Sequence, residues 1–204
     1  MTYKYQCFFD FRTKYFFLNN VNFQAKSIDL AEEHYKKLLL DLPQNTLILA
    51  NLGTIKLQKN KIEDGINLIE KSLRIDPNQP NALNNLGVFL QKHNRSLEAL
   101  DKYNRAIAIE SNYPEAYSNR GNALMDLNRF EEALESYNHA IRIKNEYAQA
   151  WSNRGNTLKE LNKLKDALES YSKAIEINPN YANAYSNKGE VLKKLVYKEE
   201  SIVC

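Results

Sequence analysis

Five glycines of this 204-residue chain recur at a fixed interval of 34 residues. A fixed interval of this length is the sequence signature of a repeat array, in which each unit packs against its neighbours along the chain. Glycine inside a helix costs about 1 kcal/mol relative to alanine. A cost repeated at every unit predicts a packing reason, namely a second helix that approaches too closely for a β-carbon. The glycines are Gly53, Gly87, Gly121, Gly155 and Gly189.

Residues 148–181 show the repeated unit most clearly. Trp151, Gly155 and Leu158 fall on one side of a first helix, and Asn162-Lys163 lies where the chain turns. Apolar residues then recur at i, i+1, i+4, i+7 and i+8, which predicts a second helix with one buried face. These residues are Ala167, Leu168, Tyr171, Ala174 and Ile175.

A helical hairpin of this length resembles the tetratricopeptide repeat. That family has the pattern W-x2-LG-x2-Y…A-x3-F…A…P, and Pro179 stops the second helix because the residue before proline is disfavoured in the α region. The resemblance implies an all-α fold, a right-handed superhelical solenoid of stacked helix-turn-helix hairpins. The matching positions are Trp151, Gly155, Ala167, Tyr171, Ala174 and Pro179.

The repeat divides the chain into seven segments. An unassigned segment, 1–11, precedes a degenerate repeat, in which Asn19 replaces the glycine and Glu32 interrupts the second apolar stripe. Four well-formed repeats and an incomplete one follow. The predicted repeats are 12–45, 46–79, 80–113, 114–147, 148–181 and the truncated 182–204.

The last unit, 182–204, matches the repeat at Tyr185, Gly189 and Leu192 and is expected to stop a few residues into its second helix. An array needs a polar capping helix over its last apolar face. The sequence therefore leaves three alternatives: the half-unit docks alone, a second chain covers it by self-association, or the chain is a truncated piece of a longer protein. Truncation is the favoured one.

The composition argues against two classes of partner. The formal net charge is +3, with 26% charged residues of both signs, which is too weak a bias to indicate nucleic acid or an anionic membrane. The only cysteines, Cys7 and Cys204, have no metal or redox spacing, so a reducing, cytoplasmic location is expected. Charged residues interrupt the aromatic N-terminus, and no signal peptide is predicted.

No catalytic, metal or cofactor site is predicted. His34, His93 and His139 occupy three different positions of the repeat and so cannot line up as an acid–base or metal set. The glycines recur singly inside predicted helices, unlike a phosphate-binding loop. The chain is therefore expected not to be an enzyme.

A row of asparagines is the candidate binding site. One asparagine stands two residues before each repeated glycine, and two units carry a further asparagine three residues later. An amide is both donor and acceptor, so a row of amides along the groove of such an array would hold an extended peptide by its backbone. The same row is also consistent with a family consensus that has no binding role. The residues are Asn51, Asn85, Asn119, Asn122, Asn153, Asn156 and Asn187.

The segments AYSNRGNAL and AWSNRGNTL resemble more narrowly the repeats of O-GlcNAc transferases, whose groove carries such an asparagine ladder. This likeness covers about residues 46–190. It implies a protein or peptide partner bound by a non-catalytic scaffold. The alternative is the substrate-recognition arm of a transferase of that kind.

Two further sets of positions, one basic and one lacking basic residues, bear on binding. Arg120, Arg154 and Lys188 stand where the family usually has leucine, and we expect their stems to lie on neighbouring helices and their charges to pair with carboxylates. The clamp that some tetratricopeptide domains use on acidic tails needs basic residues in the groove. Asn84, Ser118 and Ser152 hold those positions, so such a clamp is disfavoured.

Overall fold

The computed structural model of the chain describes the backbone of residues 21–203 and the side chains of residues 27–196. This part of the chain forms ten α-helices and no strand. The predicted segment 1–11 and the start of the degenerate repeat lie outside it. The helices are α1 Val21–Asp41, α2 Thr46–Gln58, α3 Ile62–Ile75, α4 Pro80–Lys92, α5 Ser96–Ile109, α6 Pro114–Asp126, α7 Phe130–Ile143, α8 Ala148–Glu160, α9 Leu164–Ile177 and α10 Ala182–Val203.

The helices fall into two units, which are described separately. Unit 1 ends at Pro77 and contains α1 to α3, and unit 2 begins at Asn78 and contains α4 to α10. Within unit 2 each helix packs against the next, and the first helices of successive hairpins, α4, α6, α8 and α10, also contact one another. The all-α class and the stacking of hairpins are thereby confirmed.

An asparagine in the left-handed backbone conformation makes the turn of each of the four hairpins. These asparagines have φ between 55° and 60°, a region that asparagine tolerates far better than β-branched residues do. In the hairpin of α8 and α9, the N–H of Lys163 then donates to the carbonyl of Leu158 at 2.8 Å, which closes a Schellman motif. The four turn residues are Asn60, Asn94, Asn128 and Asn162.

Each repeated glycine of unit 2 that lies in a hairpin is covered by a buried tyrosine of that hairpin. A β-carbon on Gly155 would lie 2.6 Å from Cε1 of Tyr171. A β-carbon on Gly121 would lie 2.6 Å from Cε1 of Tyr137. The two tyrosines are at most 1% exposed. The predicted close approach is therefore confirmed, and it lies inside each hairpin.

The last helix, α10, departs from the repeat. The predicted second helix of the unit is wrong, because α10 continues without a turn from Ala182 to Val203. The turn position is taken by Val196, a β-branched residue that disfavours the left-handed conformation. Gly189 accordingly has nothing within 4 Å of the place of its β-carbon. The self-association predicted for this end stays a prediction.

The first described helix of unit 1 likewise runs through its turn position. Helix α1 is continuous at Lys26 and Ser27, which are equivalent to the turn residues Asn162 and Lys163. Residues 12–20 of the predicted degenerate repeat are outside the described part of the chain, so the unit as a whole stays a prediction.

A buried carboxylate joins α1 to α2 in unit 1. Glu32 is 4% exposed and pairs with Lys36 at 2.7 Å, with Lys56 at 2.9 Å and with Lys59. Hydrogen bonds from the three lysines hold the pKa of Glu32 well below its usual range, against the opposing effect of burial. In the sequence pattern this residue interrupts an apolar stripe. It is instead the centre of an ion-pair cluster.

Candidate functional site

The predicted asparagine row lies on the first helices of the repeats. Six of its members belong to unit 2, on α4, α6, α8 and α10, and Asn51 lies on α2 of unit 1. Because the contact between each glycine and its tyrosine fixes the rotation of a first helix, the asparagine two residues earlier faces the same side in successive hairpins of unit 2. All seven are half-buried.

Three asparagine pairs connect successive first helices of unit 2. The side-chain nitrogen Nδ2 of one asparagine donates to the oxygen Oδ1 of an asparagine on the preceding first helix. We call these three pairs the amide ladder. They are Asn119 to Asn84 at 3.0 Å, Asn153 to Asn122 at 2.9 Å and Asn187 to Asn156 at 2.9 Å.

Buried tyrosines complete two of these pairs. The hydroxyl of Tyr137 donates to Oδ1 of Asn122 at 2.7 Å, and that of Tyr171 donates to Oδ1 of Asn156 at 2.9 Å. Burial, followed by nearby carboxylates, raises the pKa of both tyrosines far above the usual range, so each hydroxyl remains a donor. Each of these Oδ1 atoms therefore accepts two hydrogen bonds, which fixes the orientation of the amide.

The ladder leaves hydrogen-bonding groups of four asparagines unused. Asn153 and Asn187 donate through Nδ2, and their Oδ1 atoms receive no hydrogen bond from the described residues. Asn122 and Asn156 accept through Oδ1, and their Nδ2 groups donate to no described residue. Acceptors and donors thus remain on the same face of unit 2.

Two features of the row were not predicted from the sequence. Asn119, Asn153 and Asn187 are half-buried donors to the preceding first helices. Asn84 also belongs to the ladder, although the sequence indicated it only as a clamp position that lacks a basic residue. In unit 1, Asn51 donates to the hydroxyl of Tyr35 at 3.2 Å.

The arginines next to the asparagine row hold hairpins together. Arg154 on α8 donates to Oδ1 of Asn138 on α7 at 2.8 Å and to the hydroxyl of Ser170 on α9 at 2.5 Å. Arg120 on α6 makes the equivalent bonds to Asn104 at 2.8 Å and to Ser136 at 2.9 Å. A structural role is thus observed, but the predicted carboxylate partners are wrong, because the acceptors are neutral oxygens.

No metal-binding cluster of histidine, cysteine, aspartate or glutamate occurs among the described residues. His93 packs against Phe89 and His139 stacks on Tyr117 with ring centroids 5.0 Å apart, so these histidines act as packing groups. Burial, and next the charge of Arg142, lowers the pKa of His139. In the same part of the chain, no helix combines the length and apolar character needed to cross a bilayer.

Family models decide the classification. Models described as TPR repeat and tetratricopeptide repeat match residues 48–79, 68–101, 97–128, 121–162 and 155–196. The chain belongs to the tetratricopeptide repeat family. This tetratricopeptide repeat protein matches no curated protein sequence at a significant level. The narrower resemblance to O-GlcNAc transferases stays a prediction.

Solved structures of tetratricopeptide repeat proteins have the same fold. The crystal structure of MamA is 24% identical, with a TM-score of 0.68 over 81% of this chain and 98% of that one. YrrB, described as a TPR protein with an unusual peptide-binding site, is 25% identical with a TM-score of 0.67, over 81% and 86%. The first TPR of Spaghetti (RPAP3), bound to the HSP90 peptide SRMEEVD, is 26% identical with a TM-score of 0.57, over 59% and 96%.

Proposed function

We propose that the chain is a non-catalytic interaction scaffold that binds an extended peptide, or an extended segment of a partner protein, along the amide ladder of unit 2. The observation that carries this proposal is the distribution of unused hydrogen-bonding groups. Asn153 and Asn187 keep acceptors, and Asn122 and Asn156 keep donors. An extended peptide presents N–H and C=O groups in alternation, so it needs both kinds of partner.

The fold neighbours support a protein or peptide as the ligand. A peptide is bound to the tetratricopeptide repeat of Spaghetti, and a peptide-binding site is described for YrrB. That peptide, SRMEEVD, is acidic, whereas Asn84, Ser118 and Ser152 place no cation at the clamp positions of this chain. A backbone-reading ladder therefore fits this chain better than a clamp for acidic tails.

The test is a triple variant with Asn119→Ala, Asn153→Ala and Asn187→Ala. A ligand is first selected from a library of short peptides and is then titrated against wild type and variant. Each lost bond to the peptide should weaken binding by about 0.5–1.5 kcal/mol. The three internal bonds are lost as well, so we expect the variant to remain folded with a moderately lower free energy of unfolding.

A matched control separates binding from stability. Asn104 and Asn138 lie on second helices, so Asn104→Ala with Asn138→Ala removes the cross-helix bonds from Arg120 and Arg154 and leaves the amide ladder intact. This control should lose stability without losing affinity. Unchanged affinity in a folded triple variant would contradict the proposal, and so would an equal loss in the control.

A further inference from the structure

A groove of about 900 Å³ opens on unit 2 between α4, α5 and α6. Asn119 and Asn122 of the asparagine row line it on α6, so the groove continues the face on which the amide ladder lies. The groove differs from the rest of that face in two apolar side chains, Val88 and Leu97, and in one carboxylate, that of Asp126.

Besides Leu127 after α6, the apolar part of the groove is formed by Val88 and Leu97, which line it from α4 and α5. Val88 and Leu97 are 45% and 68% exposed. Val88 occupies the repeat position of Asn122 and Asn156, and Leu97 occupies that of Glu131 and Lys165. Both positions are polar in the next two repeats and apolar only here, where they share one groove. An apolar side chain of a ligand would remove this surface from water.

The carboxylate is that of Asp126, at the end of α6. Its Oδ2 atom accepts hydrogen bonds from Nε2 of Gln91 at 2.8 Å and from the hydroxyl of Ser96 at 2.9 Å. The hydroxyl of Tyr103 donates to Oε1 of Gln91 at 3.2 Å, which orients that amide. Asp126 is thus held in place by neutral donors, and no described cation forms an ion pair with it.

The remaining charges of the groove do not neutralise this carboxylate. Arg95 forms a two-pronged pair with Glu98 at 2.6 and 2.7 Å, so these two charges compensate each other. Lys92 occupies the repeat position of Asp126 one unit earlier and is exposed on the wall formed by α4. The field of Asp126 also reaches Tyr103 and Tyr137, where its negative charge adds to the effect of burial and raises the pKa of both hydroxyls.

We propose that this groove selects extended peptides that place an apolar side chain against Val88 and Leu97 and a lysine or arginine against Asp126. The inference rests on the proposed function, to which it adds a side-chain preference at one end of the amide ladder. A glutamate or aspartate at this position is disfavoured because its carboxylate would meet that of Asp126, whose own partners are neutral donors.

The probes are four fluorescein-labelled peptides of alanine and serine that differ at two positions. They carry leucine with lysine, leucine with glutamate, alanine with lysine, or alanine with glutamate, and each is made with one, two and three residues between these positions. In a titration, we expect lysine to be preferred over glutamate by about two- to fivefold, the range of a solvent-exposed ion pair. We expect leucine to be preferred over alanine by a similar factor of about two to five, since the side chain is only partly buried.

Two variants with little effect on folding test the assignment. Asp126→Asn keeps an acceptor for Gln91 and Ser96 and should abolish the lysine preference. Val88→Asn introduces the residue that the next two repeats carry and should reduce the leucine preference. The control is Glu135→Gln, an exposed carboxylate on α7 outside the groove, which should change neither preference.

The outcomes separate this inference from the proposed function. Equal binding of all four peptides, with affinity lost in the triple asparagine variant, would overturn the groove preference and support backbone reading. A lysine preference that persists in Asp126→Asn would also overturn it. A lysine preference that is lost in Asp126→Asn and kept in Glu135→Gln would support it.

Discussion

Helices α8 and α10 begin with nearly the same sequence and end differently. Residues 148–155 read AQAWSNRG and residues 182–189 read ANAYSNKG. Helix α8 stops after 13 residues and turns into α9, whereas α10 continues for 22 residues. The comparison teaches that the first helix of a repeat does not itself specify a hairpin. The residue at the turn and the apolar stripe beyond it do.

The largest expected effect comes from filling the glycine position in each helix. Gly155→Leu would force a side chain against the buried ring of Tyr171 and should lower the free energy of unfolding by about 1–3 kcal/mol. Gly189→Leu meets open space and should raise it by up to about 1 kcal/mol, since leucine favours helix. Urea unfolding of the two variants measures the difference. Equal losses at both positions would show that the covering tyrosine is not the cause.

A smaller effect is expected when valine, the residue that α10 has at the turn position, is placed at the turn of the hairpin of α8 and α9. Asn162→Val should cost about 1–2 kcal/mol, because a β-branched residue is strained at φ 55°. Asn162→Gly is the control and should be nearly neutral, since glycine adopts this conformation freely. The measurement is again the free energy of unfolding. A neutral Asn162→Val would mean that the turn does not depend on asparagine.

The smallest effect is expected from the converse change in α10. Val196 is 53% exposed, so Val196→Asn should change stability by no more than about 0.5 kcal/mol. Circular dichroism and urea unfolding at two protein concentrations provide the measurement. A larger loss that grows with protein concentration would show instead that Val196 is buried between two copies of the chain, as the predicted self-association requires.

Much of the fold could be predicted because a small number of residues define the repeat. The interval between Gly121 and Gly155 predicts the period, and the stripe that includes Tyr171 predicts the buried face of a second helix. The error at α10 arose from extending the period past its turn. The signal against a hairpin was present in the sequence as Val196 in place of asparagine.

The candidate site was predicted less completely. The positions of Asn153 and Asn187 follow from the period, but their bonding does not. The acceptor of each amide lies 31 residues away, and its distance depends on how two hairpins rotate against each other. The neutral acceptors of Arg120 and Arg154 could not be predicted for the same reason. Exposed carboxylates lie near both arginines in sequence, whereas the observed acceptors lie 16 residues away.

The short sequence span of the bonds that join the hairpins has a consequence for folding kinetics. The amide ladder connects residues 31 or 35 positions apart, and the arginines reach partners 16 positions away. Contacts between near neighbours require only small loops to close, and proteins built from such contacts fold fast. Unit 2 is therefore expected to begin folding at whichever hairpin forms first and to extend from it in both directions, with each completed hairpin presenting half of the next set of amide bonds.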